Sequence, residues 1–200
     1  MTDRSTTIQD LKEKMIQAAS QPSFVHHDWY VRFHLEIVEV IALELCDLYP
    51  NANRQKVSEL VWLHDLEKIA DFSKKDSTEL TATRLLMQQI GYSADYIDEI
   101  AADINLVNAK RDIASAAIEV QIISSADGAA HLVGPFYGIF WHEHPSLPIQ
   151  DILDSNKVKL DKDWNQKITL PEVRDAFAQR HKLQLELNTG KLPTSFLKRV

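Results

Sequence analysis

Cysteine, glycine and long apolar runs are scarce in this chain, and each scarcity excludes a class of protein. The 200 residues contain one cysteine, Cys46, so a disulfide framework is excluded and the thiol is expected in the core. Only five glycines are present, and no Asn-Gly or Asp-Gly turn joins alternating strands, which predicts an all-α fold. Because there is no run of about eighteen apolar residues and no signal-like amino terminus, we expect a cytoplasmic protein without a membrane partner.

An excess of positive charge is also missing. Lysine and arginine total 22 against 29 acidic residues, which gives a net charge of −7. A nucleic-acid polymer is therefore not expected as a partner. A small phosphorylated substrate remains compatible, because a metal ion and a few cations can dominate the field inside a cleft. Apolar residues make up 44% of the chain and support a single domain over residues 1–200, while the oligomeric state stays open.

The chain does contain histidines and aspartates placed on apolar helical stripes. Between residues 33 and 49, apolar side chains fall at +3, +4, +7, +11 and +14 from His34, which predicts a helix with His34 facing the core. A second stripe places His64 on a buried face, with Asp65 about 100° around the same helix. A third stripe ends in Asp127, which is therefore also expected to point inward.

Two imidazoles and two carboxylates aimed at one core need a shared partner. An unpaired buried carboxylate is costly, and the only cation on these stripes is Lys68, one turn beyond His64. A divalent cation would balance both carboxylates, so we predict one ion held by His34, His64, Asp65 and Asp127. Nitrogen and oxygen ligands without thiolate favour Mn, Fe, Co, Ni or Zn. The alternative is core histidines beside locally paired aspartates.

These residues and their local sequences resemble the H…HD…D signature of the HD-domain metal-dependent phosphohydrolases. HLEIVEVIALEL is similar to the helix of the first ligand, LVWLHDLEK to the doublet helix, and QIISSADGAAHL to the helix of the last aspartate. The resemblance, to small bacterial members, covers about residues 24–135 and implies a helical HD core, followed by a C-terminal extension over about 136–200. It also implies hydrolysis of a phosphoester or phosphoanhydride bond in a small metabolite, with a nucleotide as the favoured substrate.

The same resemblance suggests roles for particular side chains. Asp65 would orient the attacking water, and Lys68 would hold the scissile phosphate or stabilise transition-state charge. HDLEKI lacks the HDxxED pattern of ppGpp hydrolases, and the second motif of GYP-type cyclic-dinucleotide phosphodiesterases is absent. The candidate substrate contacts are Lys68, His27 in the HDW-like string, Asn105, Asn108 and Arg111.

Spacing and turn residues also predict the other elements. Helices are expected near 7–19, 31–49, 53–70, 77–90 with Ser77 as its cap, 93–108, 114–132, 149–155 and 171–188. Glu67 is expected on solvated helix surface. The segment 134–148, rich in glycine, proline and aromatics, predicts a loop that is either a lid over the site or plain packing. A non-catalytic sensor that binds a nucleotide or a partner protein is the competing class, although an intact ligand set favours the enzyme.

Overall fold

The predicted all-α fold is confirmed. The computed structural model describes the backbone of residues 4–189 and the side chains of residues 8–189, and within that range no β-strand forms. Among the described helices, none combines the length and apolarity that a membrane crossing requires. The α-helices are α1 Arg4–Ala19, α2 Glu36–Leu48, α3 Arg54–Leu63, α4 Leu66–Ala70, α5 Thr81–Ile90, α6 Ala94–Ala109, α7 Ile118–Ala130, α8 Phe136–Glu143, α9 Ile149–Lys162 and α10 Pro171–Asn188.

Two π-helical turns extend this set. Val31–Leu35 runs directly into α2, and Asp163–Lys167 continues directly from α9. Short 3₁₀ turns occupy Phe72–Lys74 and Ile113–Ser115. Single π-turns in otherwise regular helices are frequent at functional sites, because the additional residue per turn changes the direction of the side chains around it.

Several helix ends follow the local sequence. The Asn53 side chain accepts a hydrogen bond from the Lys56 amide at 3.1 Å and caps α3, and Ser93 caps α6 in the same way. Gly91 closes α5 with φ +98°, a left-handed conformation that suits glycine. The predicted ends at these positions are therefore confirmed.

The start of α5 differs from the prediction. The helix begins at Thr81, four residues after the predicted Ser77 cap, and Leu80 before it is left-handed. The amide of Thr83 donates to Glu67 Oε1 at 2.9 Å, so this carboxylate satisfies the open end of α5. Glu67 is accordingly buried, and its predicted place on solvated surface is wrong.

The core is built around α7. Residues 122–130 of this helix are all buried, and α7 packs against α2, α3, α6, α10 and the π-helical turn 163–167. Serine, glycine and alanine make up much of the buried stretch, and such small side chains allow neighbouring helices to approach closely. A central helix buried on every side can bring a side chain near its end, such as Asp127, close to several other elements.

The buried stripe of α2 is shifted from the predicted one. Leu48 is 61% exposed, whereas Leu35, Val38 and Ala42 are fully buried. The amide of Glu36 bonds to the carbonyl of Val31, five residues back, so the helix is over-wide at its start. This turn changes the phase between His34 and the rest of the helix, which a count at 3.6 residues per turn does not anticipate.

The predicted loop over residues 134–148 is wrong in its central part. Phe136–Glu143 forms α8, and Phe136 and Tyr137 are buried against the core. The next helix, predicted over 149–155, extends to Lys162 and leads into the second π-turn. Aromatic residues that were expected on a loop are therefore held on a helix.

Gly128 lets the second π-turn lie close to α7. A Cβ placed on Gly128 would meet Ile168 Cγ1 at 2.9 Å, the Asp163 carbonyl oxygen at 3.1 Å and Lys167 Cβ at 3.1 Å. Two of these neighbours are backbone or near-backbone atoms that cannot rotate away. The turn 163–167 can therefore reach Asp127 only because residue 128 has no side chain.

We expect Gly128→Ala to destabilise the fold by about 1–3 kcal/mol, since overpacking forces the π-turn away from α7. Thermal or denaturant unfolding measures this change. Gly138→Ala is the matched control, because a Cβ there meets nothing within 4 Å and alanine favours a helix by about 1 kcal/mol. Equal free energies of unfolding for the two variants would show that the close approach of the turn 163–167 to Gly128 does not contribute to stability.

Candidate metal centre

The structure brings His34, His64, Asp65 and Asp127 together, and we call these four side chains the His/Asp cluster. His34 Nε2 lies 3.4 Å from His64 Nε2, 3.8 Å from Asp65 Oδ2 and 3.6 Å from Asp127 Oδ1. His64 Nε2 lies 3.4 Å from Asp65 Oδ2 and 3.9 Å from Asp127 Oδ1. Both histidines and Asp127 are buried, and Asp65 is partly exposed.

Breaks in regular helix direct these side chains. His34 lies in the π-helical turn before α2, and the His64-Asp65 doublet lies between α3 and α4. Asp65 has φ −115° and ψ 11°, in the sparsely populated bridge region, so the chain turns within the doublet. Consecutive side chains of an uninterrupted helix would diverge by about 100°. The turn allows both members of the doublet to face the same point.

The spacing fits a common ion. Ligands about 2.0–2.2 Å from a transition metal lie roughly 3.0–3.5 Å apart at adjacent positions of an octahedron or tetrahedron. The observed separations of 3.4–3.9 Å lie at the upper end of that range or up to 0.4 Å beyond it. Buried His and Asp groups that could hold a metal ion are thus present, although they do not identify the ion.

The hydrogen bond of His64 and the neutral state of His34 also fit ligation. His64 Nδ1 lies 2.8 Å from the Val61 carbonyl oxygen, so Nδ1 carries the proton and Nε2 presents a lone pair to the cluster. His34 Nδ1 is buried without a hydrogen-bond partner among the described residues. Burial lowers the pKa of His34 well below its usual value, which keeps the ring neutral as a ligand requires.

Positive partners hold both carboxylates of the cluster in the ionised form. Burial alone would raise the pKa of Asp127, but Lys167, His131 and the cluster histidines hold it well below its usual range. Lys68, with His64, has the same net effect on the pKa of Asp65. The Nζ atoms of Lys167 and Lys68 lie 2.5 Å from Asp127 Oδ2 and Asp65 Oδ2, and the Tyr30 hydroxyl also donates to Asp65 Oδ2.

The carboxylates also act on His64. Burial alone would lower the pKa of this ring, but Asp65 and Asp127 raise it above the usual value. A second positive charge between the carboxylates would oppose that protonation. Cations therefore compete for the same two aspartates, which is the behaviour of a donor set suited to a divalent ion.

Sequence reasoning missed the contribution of the C-terminal extension. Lys167 and Asp163 come from the second π-turn, and Asp163 Oδ2 lies 2.8 Å from Nδ1 of His131, one turn after Asp127. Only Lys68 was expected to balance the cluster. An aspartate and a lysine four residues apart resemble an ordinary surface pair, so no local signal distinguishes them. Their burial becomes evident only from the packing of the turn on Gly128.

A cavity of about 560 Å³ opens onto the cluster. His34, Asp65 and Asp127 line it, together with His131. The aromatic residues of the wall are Trp29, Tyr30, Phe72, Phe136 and Phe140. The lysines of the wall are Lys68, Lys75, Lys110, Lys159 and Lys167. A volume of this size suits a small organic ligand.

The predicted substrate contacts divide into two groups. Lys68, Asn105 and Asn108 line the cavity, although the Asn105 amide already donates to the Thr78 carbonyl at 3.0 Å. His27 and Arg111 are exposed, and neither belongs to the described residues that line the cavity.

The neighbour of His27 lines the wall instead. His26 Nδ1 and Trp29 Nε1 each lie 2.7 Å from Glu143 Oε1, which fastens the end of α8 beside the cavity. The His142-Glu143-His144 string therefore forms part of a wall through its glutamate. His144 also lines the cavity, with its Nδ1 bonded to the Phe140 carbonyl at 3.0 Å.

Comparisons of the chain with protein-family models, with curated proteins and with solved structures give no match.

We expect the purified chain to bind about one transition-metal ion per molecule, because the possible donor triads share His34. Elemental analysis after dialysis against cobalt or manganese measures the ratio. His34→Ala is expected to abolish binding, whereas His181→Ala, a ring stacked on Trp164 away from the cluster, should leave it unchanged. Absence of metal from the unaltered chain under these conditions would contradict the site.

We expect Lys167→Met to destabilise the metal-free protein by about 3–5 kcal/mol, since it leaves the buried carboxylate of Asp127 without its ammonium partner. Added cobalt should recover most of that loss, because the ion neutralises the same carboxylate. Unfolding measured with and without metal tests both parts. Lys157→Met removes an exposed lysine 3.8 Å from Asp154 and is expected to change stability by less than about 0.5 kcal/mol.

Proposed function

We propose that this protein is a metal-dependent phosphohydrolase that cleaves a phosphoester or phosphoanhydride bond of a small phosphorylated metabolite, with a nucleotide as the favoured substrate. The observation that carries the proposal is the convergence of His34, His64, Asp65 and Asp127, of which His34, Asp65 and Asp127 line a cavity. The order of these residues along the chain resembles the H…HD…D signature, which supports membership of the HD-domain phosphohydrolases.

The His/Asp cluster would hold the ion. When bound there, a divalent metal supplies Lewis-acid activation of a phosphoryl group and of water. The chain contributes neutral imidazole at His34 and ionised carboxylates at Asp65 and Asp127, which is the protonation state that this chemistry needs. We assign no particular metal, since the donor set suits Mn, Fe, Co, Ni and Zn.

Asp65 and Lys68 are the proposed catalytic residues. The Lys68 ammonium lies 2.5 Å from Asp65 Oδ2 and within 5.0 Å of the Tyr30 ring centroid, so it is fixed at the cavity wall beside the cluster. From there Lys68 can bind a phosphoryl oxygen as negative charge grows. The Asp65 carboxylate can accept a hydrogen bond from the attacking water and orient it.

The remaining lysines of the cavity support an anionic substrate. Burial lowers the pKa of Lys110 and Lys159, which means that their ammonium groups are incompletely compensated by the aspartates around them. An anionic ligand would relieve this imbalance. Five lysines and four carboxylates line the cavity of a chain whose net charge is −7, and a divalent ion in the His/Asp cluster would make that lining more positive and better suited to phosphate.

The aromatic wall supports a substrate with a flat apolar portion. Phe136 and Phe140 come from α8, and Phe72 and Trp29 come from other parts of the chain, yet all four line the same cavity. Aromatic faces stack on nucleobases without requiring a particular base. Together with the lysines, they favour a nucleotide over a small inorganic or aliphatic phosphate.

One observation favours a non-catalytic sensor as the second candidate. Each carboxylate of the cluster already bonds a lysine, so the charges can balance without an ion. A metal-free chain of this kind could bind a nucleotide in the cavity and respond by a change in shape. The sensor predicts binding without turnover, which separates the two candidates.

We expect phosphate release from at least one member of a panel of nucleotides and sugar phosphates when manganese or cobalt is added. Asp65→Asn should lower the rate at least about 10²-fold, because the carboxylate that orients water is lost. Colorimetric phosphate detection measures this rate. Asp28→Asn, an exposed carboxylate of the HDW-like string outside the cavity lining, is the control and should retain full activity.

The same panel tests the sensor. Saturable nucleotide binding by calorimetry with full metal loading and no turnover would contradict the hydrolase and favour the sensor. Turnover that persists unchanged in Asp65→Asn would contradict the proposed role of the cluster.

A further inference from the structure

His131 contacts two members of the His/Asp cluster, Asp127 and His34. Its Nε2 lies 3.5 Å from Asp127 Oδ1, and its ring lies parallel to His34, with centroids 5.0 Å apart and an interplanar angle of 8°. One ligand atom from each of His34, Asp127 and His131 lies within 4.8 Å of the others. A second triad, His34, His64 and Asp65, meets the same 4.8 Å limit and shares His34 with the first. The two triads are separate groups at that limit, so a common ion would draw their donors closer together.

The other nitrogen of His131 is fixed by a buried carboxylate. Nδ1 lies 2.8 Å from Asp163 Oδ2, so Nδ1 donates to Asp163 and Nε2 keeps its lone pair. Asp163 is 2% exposed, and Lys159 Nζ at 3.1 Å and Lys167 Nζ at 3.7 Å hold it in place. A carboxylate behind a histidine whose free nitrogen faces other donors is the usual support of a metal-ligating imidazole.

We propose that His131 is a fifth protein ligand of the same ion and that Asp163 is its positioning residue. The inference rests on the metal site of the proposed function and extends it. With five protein ligands, a six-coordinate ion keeps one open position instead of two. A substrate phosphate would then depend more on the lysines of the cavity for its remaining contacts.

A third imidazole also narrows the choice of metal. Imidazole suits iron, nickel and zinc, whereas manganese and magnesium prefer sites rich in oxygen. Three histidines and two carboxylates therefore favour iron, cobalt, nickel or zinc over manganese.

Packing alone does not account for the position of His131 and Asp163. The contact of His131 with Phe136, at 4.0 Å between ring centroids, explains the position of the ring but not a buried carboxylate behind it.

The test uses the full chain, stripped of metal with a chelator and titrated with cobalt. Equilibrium dialysis gives the affinity, and visible absorption of the cobalt complex reports changes in its ligands. We expect His131→Gln and Asp163→Asn to weaken cobalt binding about 10–100-fold and to alter the spectrum. His144→Gln, at another histidine of the cavity wall, should change neither.

A measurement on the unaltered protein covers variants that fail to fold. X-ray absorption of the cobalt-loaded chain should show three coordinated imidazoles, and two would overturn the inference. Unchanged affinity and spectrum in a folded His131→Gln variant would also overturn it. The inference would also be overturned if the unaltered chain bound two ions and the His131→Gln variant lost only one of them. Failure of the unaltered chain to bind cobalt would instead remove the metal site of the proposed function.

Discussion

The arrangement of the His/Asp cluster depends on one requirement: the buried carboxylates of Asp65 and Asp127 need positively charged partners inside a largely apolar interior. A buried carboxylate loses its hydration, and the loss must be offset by charge close at hand. Lys68 supplies that charge to Asp65 from α4, three residues along the chain, whereas Lys167 reaches Asp127 from a turn 40 residues further along the chain. The oxygen of Asp127 that Lys167 does not contact, Oδ1, faces the histidines, so one carboxylate contacts both the second π-turn and the cluster.

The sequence carries enough information to predict the members of the cluster but not its surroundings. His34, His64 and Asp127 lie on apolar stripes, and the rule that such stripes face inward depends only on local periodicity. Helix ends at Asn53, Ser93 and Gly91 were predictable because capping is a local interaction.

What could not be predicted is decided by contacts between distant segments. The π-turns at 31–35 and 163–167 alter side-chain direction without any residue type that marks them. Glu67 is buried because its carboxylate accepts a hydrogen bond from the Thr83 amide at the start of α5. This bond can form only when α4 and α5 are packed side by side. The aromatic segment 134–148 contains a helix because Phe136 and Tyr137 are buried against the core. The free energy gained by their burial outweighs the low helix propensity of the glycine and proline around them.

The late position of Lys167 bears on how the molecule is made. In a growing chain Asp127 is made 40 residues before Lys167, so it at first has no ammonium partner from the second π-turn. Burying α7 at that stage would remove water from the Asp127 carboxylate with no ion pair to offset the cost. We therefore expect the final packing of α7 to follow synthesis of the segment after α9, because that segment carries the partner of Asp127.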